Sequence, residues 1–62
     1  MDVYTRVSEL ARERGVSLAK IERDVDLGNG TIGKWREVSP KLETVAKVAE
    51  YFGVTIDDLV TV

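Results

Sequence analysis

Residues 17 to 36, SLAKIERDVDLGNGTIGKWR, hold two short helical patterns about three residues apart, and that spacing constrains the fold more than any other feature of the chain. The first pattern opens at Ser17, a good helix N-cap, and is expected to turn Ala19, Ile21 and Val25 inward while Lys20 and Arg23 look outward. The second is expected to run from about Gly28 to Glu37, with Ile32 and Trp35 inward at i, i+3 spacing. Asn29, Gly30, Gly33 and Lys34 then share the solvent-facing side. Between the two patterns Val25, Asp26 and Leu27 have to reverse the chain tightly, and Asp is one of the few residues besides Gly that tolerates the left-handed conformation such turns need. Leu27 is expected to plug that turn into the core. Patterns this close are read as one helix-turn-helix unit.

The flanks supply three more helices. Asp2 is expected to cap the first, which carries Val3, Val7, Leu10 and Ala11 on one stripe and Arg6, Glu9, Arg12 and Glu13 on the wet side. Gly15 stops it, and Val16 folds back onto its last turn. Beyond Trp35 the pattern breaks at Ser39 and Pro40; because Pro is favoured in a first helical turn, the fourth helix is expected to begin there. Its stripe is Leu42, Val45, Ala46, Ala49 and Phe52, closed by Gly53. For the fifth, Thr55 caps, Asp58 completes a capping box, and Val54 with Leu59 forms a hydrophobic staple. No repeat, low-complexity tract or linker interrupts the series. Residues 1–62 are therefore expected to form a single domain, an all-α, compact five-helix bundle.

A chain of 62 residues buries only about 60% of the surface its unfolded form exposes, which leaves little room for a catalytic cleft beside a core. It has no Cys and no His, so thiolate or imidazole metal sites, disulfides and catalysis by either side chain are excluded. We expect a non-enzymatic protein that needs no cofactor, metal or small-molecule substrate. No apolar run approaches the roughly 20 residues of a membrane span, and MDVYTRVSEL lacks the basic and apolar regions of a signal peptide, so a soluble cytoplasmic protein is expected. The net charge of −2 and a pI near 5.0 argue against an indiscriminately basic coat for nucleic acid. Charge is weakly polarised along the chain. Ser17 to Lys41 carries five basic and four acidic residues, while Leu42 onward carries one basic and four acidic.

With these helices in order, the chain resembles the lambda-repressor-like, or Xre-type (Cro-type), helix-turn-helix family over essentially its whole length. The likeness is carried by ERGVSLAKIERDV, GNGTIGKWR, SPKLETVAKVAEYFGV and TIDDLV. It implies sequence-specific binding of double-stranded DNA, as a homodimer on a palindromic operator, to regulate transcription in the manner of a phage repressor. By position, Ser17 resembles the family's phosphate-contacting residue, Leu18 sits where a side chain approaches DNA, and Asn29, Gly30, Thr31 and Lys34 sit where base edges are read. Asn29 suits adenine and Lys34 suits guanine. Gly28, Gly33, Arg36 and Lys41 complete the expected DNA-binding set, with phosphates met at the starts of the second and third helices. The family often pairs an Arg late in the first helix with a Glu after the Trp position. Here those places hold Ala11 and Arg36, which strands no charge and frees Arg36 for a phosphate.

A bare glycine face at 30 and 33 either lets the recognition helix settle deeper in a groove or is tolerated drift, each glycine costing roughly 0.5 to 1 kcal/mol relative to Ala. A third helix of nine or ten residues at about 1.5 Å rise spans roughly 14 Å, enough for a major groove about 12 Å wide. Trp35 is expected to be a core anchor rather than a DNA contact. Val48, Tyr51, Ile56, Val60 and Val62 lie off the main stripe and form the expected dimer patch, the other reading being core closure by the C-terminal tail. A radius of gyration near 10 to 11 Å sets two touching copies about 27 Å apart, approaching the roughly 34 Å between half-sites one turn apart. A protein-interaction module of the same fold, of antirepressor or antitoxin type, is the alternative, motivated by the acidic pI and the bare glycine face.

Overall fold

Most helix ends lie where a capping residue stands in the sequence. In the computed structural model, which describes residues 2 to 60, α1 spans Val3–Arg14 and starts at Asp2, whose carboxylate accepts the Thr5 N–H at 2.8 Å. It ends at Gly15, where φ is 69°, and the Val16 N–H returns to the Ala11 carbonyl at 2.9 Å. Helix α2, Leu18–Asp24, starts at Ser17, whose Oγ accepts the Lys20 N–H at 3.0 Å. Asp26 then takes φ 60°, and Leu27, half-buried against the core, returns its N–H to the Glu22 carbonyl at 2.7 Å. Helix α3, Leu42–Phe52, closes at Gly53 with φ 72°. Helix α4, Ile56–Val60, has a reciprocal capping box: Thr55 N–H donates to Asp58 Oδ2 at 3.0 Å and Asp58 N–H to Thr55 Oγ1 at 3.1 Å.

Among the described residues the architecture is all-helical, with four α-helices where five are expected. The third element is a five-residue 3₁₀ helix, η1, Ile32–Arg36, held by i to i+3 bonds such as Lys34 N–H to the Thr31 carbonyl at 3.1 Å. It is shorter than expected because Gly30 sits at φ 82°, a conformation that cannot continue a right-handed helix from Gly28. Helix α3 also begins later than Ser39 and Pro40. Lys41 caps it with extended backbone, φ −70° and ψ 151°, so Pro40 lies in the link, where its missing N–H goes unneeded.

The core combines Val7, Leu10 and Ala11 of α1, Ile21 of α2, Ile32 and Trp35 of η1, Val45, Val48, Ala49 and Phe52 of α3, and Leu59 of α4. Trp35 is thus the expected anchor. α1 packs against η1 and α4, and α4 against α3. Two arginines of α1 fasten the C-terminal half: Arg14 Nη2 donates to the Phe52 carbonyl at 2.9 Å, and Arg6 Nε to the Asp58 carbonyl at 3.1 Å. Two inward stripes are rotated from expectation. In α2 Ala19 is exposed while Leu18 and Val25 are half-buried and Glu22 is buried. In α3 Leu42 is 69% exposed and Val48 is fully buried. The radius of gyration is 10.2 Å, as a domain of this length implies. No helix of the described residues is long and apolar enough to cross a membrane.

Candidate nucleic-acid interface

The segment from Gly28 to Arg36 is fixed from beneath. Ile32, fully buried, and Trp35 root η1 in the core, so the intervening residues face outward. Ahead of η1, the Gly28 carbonyl accepts both the Thr31 N–H at 3.1 Å and the Thr31 Oγ1–H at 2.6 Å, which closes the turn. The third support was not anticipated in the sequence. Glu22 is 5% exposed and extends its carboxylate under the turn, where Oε1 accepts the Gly30 N–H at 3.0 Å and Oε2 the Ile32 N–H at 2.8 Å. A sequence signal for it does exist: Leu18, Glu22 and Val25 fall at i, i+4 and i+7, so a carboxylate stands in an otherwise apolar line.

On this support Asn29, Gly30 and Lys34 are exposed and Thr31 and Gly33 half-buried, so the strip expected to read bases is presented to solvent. The two outward glycines differ in kind. Gly30 requires its residue type because of its positive φ, whereas a Cβ at Gly33 meets nothing within 4 Å. At Gly28, also exposed, a Cβ would lie 3.2 Å from Thr31 Oγ1. The expected phosphate site at the start of the third helix needs correction, because the Gly30 and Ile32 amides already serve the Glu22 carboxylate and the Thr31 amide serves Gly28. Ser17, at the start of α2, remains exposed, with Leu18 half-buried beside it against the core.

Charge around the strip is local. Lys20 is committed to Asp24, Nζ to Oδ2 at 3.1 Å. Arg36 is less free than expected: its guanidinium lies 5.4 Å from the centre of the Tyr4 ring and its Nε donates to the Gly33 carbonyl at 3.2 Å. Lys34 and Lys41 are exposed, and neither has a carboxylate within ion-pair distance among the described residues. Both line an open groove of about 380 Å³ between η1 and the start of α3, together with Trp35, Pro40 and Glu43.

The expected dimer patch does not hold together. Val48 is fully buried, because it flanks the Val45–Ala49–Phe52 line on the core side, and it offers no surface. Tyr51 and Ile56 are half-buried, Val60 is 41% exposed, and Val62 lies outside the described residues.

No curated protein and no solved structure matches the chain. A family model described as a Cro/C1-type HTH DNA-binding domain matches residues 6–62. The outward strip on a core-rooted turn agrees with that match, and the chain belongs to the Cro/C1-type helix-turn-helix DNA-binding domain family.

Proposed function

We propose that this chain is a sequence-specific, double-stranded DNA-binding transcriptional regulator of phage-repressor type, which presents the turn at 28–31 and η1 to the major groove and acts as a homodimer on a palindromic operator. The observation that carries the reading is the outward strip Asn29, Thr31 and Lys34 on a segment rooted in the core by Ile32 and Trp35. Asn29 reads adenine and Lys34 guanine. Ser17 and Lys41, both exposed, and Arg36 from its seat on Tyr4, meet phosphates on either side. Leu18 packs beside the backbone contact, and Gly28, Gly30 and Gly33 keep bulk away from the bases. A single module of this kind buries about 600 to 1,000 Å² against DNA, so a lone copy binds weakly and dimerisation supplies the affinity.

Random-sequence selection on the purified protein, followed by binding at fixed salt, tests this. The expected result is a motif with two-fold symmetry and lost discrimination in N29A and in K34A. Sequence preference unchanged in both variants overturns the base-reading roles. Failure of the wild type to be retained on immobilised DNA at low salt overturns DNA binding altogether and favours the interaction module of the same fold.

A further inference from the structure

Glu22 is the buried charged residue of the described chain, and no Lys or Arg nitrogen lies within ion-pair distance of it. A buried carboxylate without a cation has to be held by hydrogen bonds, and here two backbone amides of the recognition turn hold it. The dependence is mutual. Without the carboxylate, the Gly30 and Ile32 amides lose their partners, and Ile32 is fully buried.

We infer that Glu22 is the positioning residue of the base-reading strip: its two-point grip on Gly30 and Ile32 sets the path of residues 29 to 34 without reaching the DNA. The inference rests on the DNA-binding reading above. The grip spans the glycine at φ 82°, the residue where the chain leaves the helical path that its apolar pattern would otherwise follow from Gly28. Residue 22 therefore selects between two courses of one segment, a tight turn leading into η1 or a longer helix. Ile32 and Trp35 are buried anchors of the core, so a change of course falls on Asn29 and Thr31. The carboxylate also occupies amides that would otherwise attract a phosphate, which leaves the strip to face bases.

Two variants of the full chain test this. In E22Q the amide offers one acceptor, so its NH₂ meets the second backbone donor; E22A removes both acceptors. E37Q makes the same charge change as E22Q at an exposed position and serves as the control. The readout is the ratio of affinities for the selected duplex and a scrambled duplex of equal length at fixed salt, with the salt slope on the scrambled duplex. Both Glu22 variants are expected to lower the ratio about tenfold or more with the salt slope unchanged, and E37Q to leave both alone. A general loss of folded protein weakens both affinities together and does not move the ratio. An unchanged ratio in E22Q and E22A overturns the inference. Should neither variant fold, amide hydrogen exchange of the free wild type decides: Gly30 and Ile32 protected above Asn29 supports the grip, and equal exchange overturns it. A wild type without preference for the selected duplex removes the DNA reading instead, and the exchange measurement, made without DNA, still reports whether Glu22 holds the turn.

Discussion

Tyr51 donates its phenolic O–H to Asp24 Oδ2 at 2.8 Å, which ties α3 to α2, and the same carboxylate oxygen receives Lys20 Nζ at 3.1 Å. The Tyr51 bond, then the Lys20 ammonium, holds the Asp24 carboxyl below its ordinary value of 3.8, and the same bond raises the Tyr51 phenol above its ordinary 10.0. The signs give a stability window. A lowered carboxyl contributes above its unfolded value, and the contribution is lost as pH falls through the folded one; a raised phenol contributes below its unfolded value, and the contribution is lost as pH rises through the folded one. Y51F keeps the ring, which packs edge-on to Phe52 at 5.3 Å, and removes the bond. We expect a small drop in thermal midpoint near neutral pH. The gap to wild type should close at alkaline pH as the phenol titrates, and narrow at acid pH as Asp24 is neutralised. A gap constant across the pH range overturns the coupling.

Ser17 separates a folding role from a binding one. Its Oγ caps α2 through the Lys20 amide, and its exposed position is a proposed phosphate contact. S17A is expected to lower stability by about 1 kcal/mol, read from urea unfolding. S17D keeps a capping oxygen and adds a negative charge, so it should retain stability while weakening binding to any duplex, scrambled or selected. Equal DNA affinity in S17D and wild type removes the phosphate role.

The two glycines of the strip make opposite predictions. An alanine at Gly30 has to adopt φ near 82°, a left-handed conformation that costs an L-residue roughly 1 to 2 kcal/mol. At Gly33 the added methyl meets nothing within 4 Å, so G33A is expected to stabilise the free protein by about 0.4 to 1 kcal/mol through the unfolded chain. If a groove floor comes close to Gly33, G33A also loses DNA affinity while gaining stability. Stability gained with affinity unchanged shows that this glycine is tolerated drift.

Local signals were legible and long-range ones were not. Asp2, Ser17, Thr55 with Asp58, Gly15 and Gly53 each act on backbone a few residues away, so spacing alone reveals them. Asp26 in its left-handed turn is of the same kind. Glu22 acts across eight and ten residues, and nothing in a helical wheel tells a carboxylate reaching into a turn from one reaching into water. That carboxylate occupies two of the amides at the start of the third element, those of Gly30 and Ile32. On α3 the Val45–Ala49–Phe52 line was plain, but Ala46 and Val48 flank it on opposite sides, and only the packed partner decides that Val48 is buried and Ala46 half-buried. Tyr4 as a seat for Arg36 was likewise hidden, since it lies 32 positions earlier in the chain and joins two elements.

Val48 and Val60, both in the expected dimer patch, differ in exposure: Val48 is fully buried and Val60 is on the surface. V48A removes fully buried methyls from the core and is expected to cost about 2 kcal/mol of stability, with association falling only as far as the folded population falls. Val60 is 41% exposed at the end of α4, where a cation suits the helix terminus, so V60K should change stability by no more than about 0.5 kcal/mol. If the homodimer forms through Ile56 and Val60, V60K remains monomeric in sedimentation velocity at concentrations where the wild type associates, and binds a half-site as well as wild type does while losing preference for the full palindrome. Because α4 lies away from Asn29 and Lys34 in sequence and packs on α1 and α3, a loss of half-site binding in V60K is not expected. Association of V60K equal to wild type moves the interface elsewhere.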